Sequence, residues 1–135
     1  MFELILLIQL IATAAMTGII WLVQIAIYPL FTRLTGSDFD ENHTRYMQQV
    51  SYVIAPIMLL EAGSCALCLL LGNFVSQIIP TVLLAINWLS TALIQVPQHT
   101  KLTPENAPAL VRSNWIRTIA WTARLIFLAT LAMNS

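Results

Sequence analysis

Charge is scarce in this chain. Of 135 residues only 9% are Asp, Glu, Lys or Arg, and the six acidic residues offset the six basic ones; soluble domains carry about 25%. Zero net charge, with no basic arm and no Gly-rich phosphate loop, excludes a nucleic-acid partner. Cysteine is reduced to Cys65 and Cys68, both within an apolar stretch, which gives neither a disulfide framework nor a compartment signal. A basic leader is missing as well. The only early charge is Glu3, and the apolar run reaches Phe31, well past the roughly 7–15 residues of a signal-peptide core. The start of the chain therefore reads as an uncleaved first span.

What remains is apolar: 59% hydrophobic residues and a mean hydropathy of +0.80. Four segments account for nearly all of it, at about 2–31, 40–71, 78–97 and 107–133, each near the length that crosses about 30 Å of hydrocarbon. The expectation is one all-α domain, an integral membrane four-helix bundle running up-down-up-down, with the lipid bilayer as its first partner. Thr35-Gly36-Ser37 breaks the chain after the first span, with Ser37 or Asp38 as N-cap of the second. Gly72-Asn73 is the turn into the third, where Pro80 fits the first helical turn. Gln98 to Asn106 reads as a polar loop holding His99 and Lys101, and Thr103-Pro104-Glu105 or Asn106-Ala107-Pro108 starts the fourth span. Arg33, Arg45, Lys101 and Arg112 gather at the end with the polar loops. The positive-inside bias then places those loops in the cytoplasm and both termini outside, in a bacterial-type inner membrane.

The fourth segment breaks the apolar rule. Asn114, Arg117, Trp121 and Arg124 fall on one helical stripe about 80° wide, and a charged stripe in a membrane must face protein or water. Thr17, Trp21, Gln24 and Tyr28 share an arc about 60° wide on the first segment. On the second, His43, Met47, Val50, Ile54, Glu61, Cys65 and Cys68 share a face, and Pro56 frees the Tyr52 carbonyl. Asn87, Thr91, Gln95 and Gln98 line the third. Counting about 1.5 Å per residue from the polar-loop side places Glu61 roughly 22 Å deep and Arg124 roughly 21 Å deep, so the two are expected to pair. Arg117, roughly 10 Å deep, is expected to meet only neutral groups. With Gln24, Tyr28, Asn87, Gln95 and Asn114 it would form a funnel towards the polar loops, with His99 and His43 at its mouth.

Each of these residues also has a plain packing role. Amides and hydroxyls tie membrane helices together at about 0.6 kcal/mol per bond, so Thr17, Thr91, Asn87 and Gln95 taken singly read first as such ties. Trp21, Trp88 and Trp115 suit interface anchors, and Trp121 suits packing or cation–π support for an arginine. Cys65 and Cys68 have redox spacing but read first as small packing residues. No cofactor is expected. Haem or a metal held by His43 and His99 is the weaker reading, because two histidines in separate loops make a thin ligand set.

Ile94-Gln95-Val96-Pro97 leading to Leu102, the polar loop, and Trp115-Ile116-Arg117-Thr118 in the last helix resemble the closing pattern of the DUF1772, or anthrone-oxygenase-like, membrane proteins. Tyr28-Pro29 at the end of the first span is similar too. The resemblance implies a four-span bundle and, as in some members, cofactor-independent oxygenation of aromatic polyketides. Two functions follow as expectations. One is a membrane site binding or transforming a lipophilic aromatic or enolisable compound. There Arg117, alone or with Arg124, would receive developing negative charge, with Glu61 or His99 as base. The other is a non-catalytic structural or interaction protein, with a homo-oligomer as one option, whose buried Glu/Arg network fixes helix packing. A transporter is a third and weaker option.

Overall fold

The computed structural model describes residues 1–34, 36–71 and 74–134, without the side chains of Ser37 and Asp38. The expected Gly72-Asn73 turn lies outside the described residues, as do the side chains of Ser37 and Asp38; their backbone is already helical, so the helix starts ahead of the expected cap. Four helices carry the fold: α1 (Phe2–Phe31), α2 (Gly36–Leu70), α3 (Phe74–Thr100) and α4 (Ala107–Met133). All four are long and apolar enough to cross a membrane, and leucine, isoleucine and valine cover the outside while most buried positions of the middle are polar or aromatic. The protein is thus a small all-α, multi-pass membrane protein. Neighbours around the bundle are α1–α2, α2–α3, α3–α4 and α4–α1, the antiparallel ring that short connections impose.

The helix ends follow local chemistry. Gly36 takes a left-handed φ of 61°, a conformation that glycine adopts without steric cost, and so turns the chain into α2. Asn106 precedes α4, with Pro108 in the first turn, the second of the two expected starts. Its side chain folds back on the link, with Nδ2 on the Lys101 carbonyl at 2.8 Å and Oδ1 accepting from the Thr103 amide at 2.9 Å.

The third span corrects the expectation of 78–97. It begins at Phe74 and continues through Pro97 to Thr100, so Pro80 lies inside the helix rather than in its first turn. The reason lies in the winding. Residues Thr91–Gln95 form a π-helical turn, and the extra residue per turn gives the Pro97 ring room that a regular α-helix lacks. The same device recurs in α1, where Val23–Ile27 is π-wound just before Tyr28-Pro29. Both π-turns sit immediately N-terminal to the residues that line the interior at one end of the bundle, a placement common at functional sites.

The inner face of α1 also differs from the expected arc. Its buried polar residues are Gln9, Thr13, Thr17 and Gln24. Trp21, expected on the inner arc with Thr17 and Gln24, instead points outwards at 37% exposure. It packs edge-on against Trp115, with ring centroids 5.6 Å apart, and donates to Thr122 Oγ1 at 3.1 Å. The pair is an outer α1–α4 clasp.

Candidate functional site

The interior holds two polar layers. In the deeper one Arg124 and Glu61, both fully buried, form an ion pair across the diagonal of the bundle. Thr13 Oγ1 donates to Glu61 Oε1 at 2.8 Å and accepts from Arg124 Nη1 at 2.6 Å. Arg124 Nε donates to the Pro80 carbonyl at 3.1 Å. Trp121 Nε1 donates to Glu61 Oε2 at 3.1 Å, and its fully buried ring packs in the core, so of the two expected roles packing is the one the fold contains, joined by a hydrogen bond to the carboxylate. Every helix contributes, and both carboxylate oxygens are engaged. The expected pairing of Glu61 with Arg124 is what the fold contains.

The shallower layer is built around Arg117. Its Nε donates to Asn114 Oδ1 at 2.9 Å, Nη2 donates to the Tyr28 hydroxyl at 3.1 Å and to Asn114 Oδ1, and Nη1 donates to Thr91 Oγ1 at 3.3 Å. No carboxylate among the described residues comes within salt-bridge reach of it. A guanidinium has five N–H groups; four hydrogen bonds leave one, on Nη1. Asn114 Nδ2 passes the network to Gln24 Oε1 at 2.8 Å, and Gln24 Nε2 ties to the Val111 carbonyl at 3.1 Å. Gln95 Nε2 donates to Ser113 Oγ at 3.0 Å. Thr17, with its hydroxyl 2.7 Å from the Thr13 carbonyl and 3.3 Å from that of Trp121, ties α1 to α4 beside the deeper layer.

His99 is not in a loop. It is buried in the last turn of α3, because the helix outlasts Pro97. His43, on α2, is its neighbour rather than a residue of another loop: Nε2 lies 3.0 Å from His99 Nδ1, and the rings stack at 5.3 Å. The far nitrogen of His99, Nε2, lies 2.9 Å from the Tyr28 hydroxyl. The separate-loops argument against a shared ligand therefore falls. Among the described residues no cluster of three or more His, Cys, Asp or Glu side chains gathers around the pair.

Beside this layer is a cavity of about 200 Å³. It exists because α2 packs along the first half of α3 and parts from the second half, Thr91–Thr100. Ile54 and Met58 of α2 and Ile20 and Val23 of α1 supply apolar wall, and Arg117, Tyr28 and His99 supply the polar end. Ser51, Ala55 and Val96 also line it and are themselves exposed on the outside of the bundle. The cavity thus opens sideways, between two helices, onto the apolar surface.

Not every expected member joins. Asn87 is fully buried, but neither side-chain atom has a hydrogen-bond partner among the described residues, so it stands apart from the Arg117 network. A buried amide left unpaired costs about 1–3 kcal/mol. Asn87→Leu is accordingly expected to leave stability unchanged or to raise the denaturation midpoint in detergent; a clear loss of stability would mean that the amide holds a water or a ligand. Sequence reasoning also passed over Thr13, which bridges the ion pair, and the fully buried Gln9 and Gln77. Gln9, Thr13 and Thr17 are spaced i, i+4, i+8, a polar ladder that was there to be read.

Comparison with family models, with curated proteins and with solved structures returned no match.

Proposed function

We propose that the cavity takes up a lipophilic small molecule from the bilayer and holds its acidic or enolisable oxygen against Arg117. One observation carries this reading: a buried arginine without a carboxylate among the described residues, with one N–H to spare, stands with Tyr28 and His99 at the polar end of a largely apolar cavity that opens sideways. A lone arginine in the membrane costs about 2.5–3.5 kcal/mol on insertion scales, and an anionic ligand removes that cost. The ligand class is an aromatic phenol or enolisable ketone, in keeping with the resemblance to anthrone-oxygenase-like proteins. Arg117 would stabilise the enolate or phenolate, and His99, acting through Tyr28, would take the proton. Oxygenation would then need only dioxygen as the second reactant. The deeper Glu61–Arg124 layer is fully buried and charge-paired, with only Arg124 Nη2 left without a partner among the described residues, which supports a structural role for it within the same protein. Exposed Arg33, Arg45, Lys101 and Arg112 lie outside both layers, which supports a cytoplasmic placement of that end and termini outside, as in a bacterial inner membrane.

The test is binding of 1,8-dihydroxy-9-anthrone to the protein in lipid nanodiscs, read by tryptophan fluorescence and by native mass spectrometry. Saturable binding is expected in the wild type. In Ala55→Phe, which fills the cavity at its lateral mouth, affinity is expected to fall at least tenfold with the melting point retained. Equal binding by both proteins would overturn the assignment.

A further inference from the structure

The hydrogen bonds at the polar end of the cavity run in one line from Arg117 towards the polar-loop surface. Arg117 can only donate, so the Tyr28 oxygen accepts from Nη2. Its second lone pair is left for an incoming proton, and an outward path needs its hydrogen on His99 Nε2, 2.9 Å away. In that arrangement His99 Nε2 is the acceptor, and the neutral ring carries its proton on Nδ1. That N–H faces His43 Nε2 at 3.0 Å, so His43 accepts there and carries its own proton on Nδ1. Phe31 and Phe39 pack against the His43 ring, and the ring is half-buried at the polar-loop end of α2. The charged groups around the chain are Arg117 at its inner end and Asp40, whose charge reaches His43, at its outer end.

We propose that Tyr28, His99 and His43 form an outward proton exit path from the cavity to the polar-loop surface. The proposal rests on the reading that the cavity binds an acidic ligand against Arg117. When such a ligand binds, its O–H or C–H bond breaks and the proton goes to the Tyr28 oxygen. The Tyr28 hydrogen passes to His99 Nε2, the His99 Nδ1 hydrogen to His43 Nε2, and the His43 Nδ1 hydrogen to water. One proton leaves the ligand and one reaches the surface, while the ligand anion stays against the guanidinium. Rotation of the hydroxyl and tautomer exchange of both rings reset the path. His43 does not line the cavity, so it acts through His99 as a positioning and relay residue.

Two measurements test this separately from ligand binding. Nitrogen-15 NMR of the histidine side chains in nanodiscs is expected to show both His99 and His43 as the Nδ1–H tautomer, with His99 reverting to the commoner Nε2–H form in Tyr28→Phe. An Nε2–H tautomer for His99 in the wild type overturns the direction of the path, whether or not any ligand binds. The second uses 1,8-dihydroxy-9-anthrone in stopped-flow with a pH indicator in weakly buffered solution. Proton release in His43→Ala is expected to lag binding by at least tenfold. Binding itself, read by tryptophan fluorescence, is expected to keep its wild-type rate, and millimolar imidazole is expected to restore release. Unchanged release in His43→Ala, or no rescue by imidazole, overturns the exit path. Absence of anthrone binding to the wild type would count against the ligand reading and against the path as a ligand-proton exit, while the tautomers would still decide its direction.

Discussion

Glu61→Gln is expected to be the most damaging single substitution in the protein, at about 3–5 kcal/mol, because it leaves Arg124 charged and fully buried without a counterion. Arg124→Gln is expected to cost less. A carboxyl group can shed its charge by taking up a proton, whereas a guanidinium stays charged. The double variant Glu61→Gln/Arg124→Gln is expected to lose far less than the sum of the two single losses, since neither charge then remains to be solvated. Reversible denaturation in mixed detergent, followed by tryptophan fluorescence, measures all three. Additive losses would dissolve the pair as an energetic unit. Trp121 and Thr13 complete the argument, since each gives Glu61 a hydrogen bond: without them Arg124 would hold Oε1, and Oε2 would lose the donor that reaches it. A buried ion pair of this kind is weak support for stability against an apolar alternative. What it does supply is register: one residue of slip in α2 or α4 would turn a charge towards lipid.

That register is also why so much of the fold was legible. Four apolar runs, a charged stripe on the fourth and a depth count from one end were enough to place Glu61 opposite Arg124 and Arg117 among neutral partners. The count works because a straight helix converts residue number into depth at a fixed rise. It fails where winding changes. The π-turns at Val23–Ile27 and Thr91–Gln95 leave no mark in hydropathy, yet they carry α3 past Pro97, bury His99 and bring it to Tyr28. Pro97 read as a helix end put His99 in a loop and hid its contact with His43. Trp121 was assigned to an arginine because both lie on one stripe. Its N–H in fact reaches Glu61 on the diagonally opposite helix, a choice made by side-chain rotamer, which spacing does not encode. The cavity was illegible for a different reason. It comes from the parting of α2 from half of α3, a property of two helices together and of neither sequence alone.

Arg117→Gln separates the site from the scaffold. The side chain keeps a donor and an acceptor for Asn114 and Tyr28 but loses the charge and the spare N–H. For the ligand-free bundle, removing an uncompensated charge from the interior is expected to be neutral or stabilising unless the guanidinium braces the helices, because the cost of holding it, about 2.5–3.5 kcal/mol on insertion scales, disappears. On the ligand reading the same change removes the charge-assisted hydrogen bond to the bound oxyanion, worth about 1.5–3 kcal/mol. The expected result is therefore a divergence: a melting point in nanodiscs at or above that of the wild type, with affinity for 1,8-dihydroxy-9-anthrone reduced about 10- to 100-fold, the range to which those energies correspond. Arg117→Lys is expected to fall between, since an ammonium keeps the charge but cannot hold Asn114, Tyr28 and Thr91 together in one plane. If Arg117→Gln lowers stability and leaves affinity alone, the guanidinium is a structural cross-brace between α1, α3 and α4, and the cavity beside it is only a gap between helices.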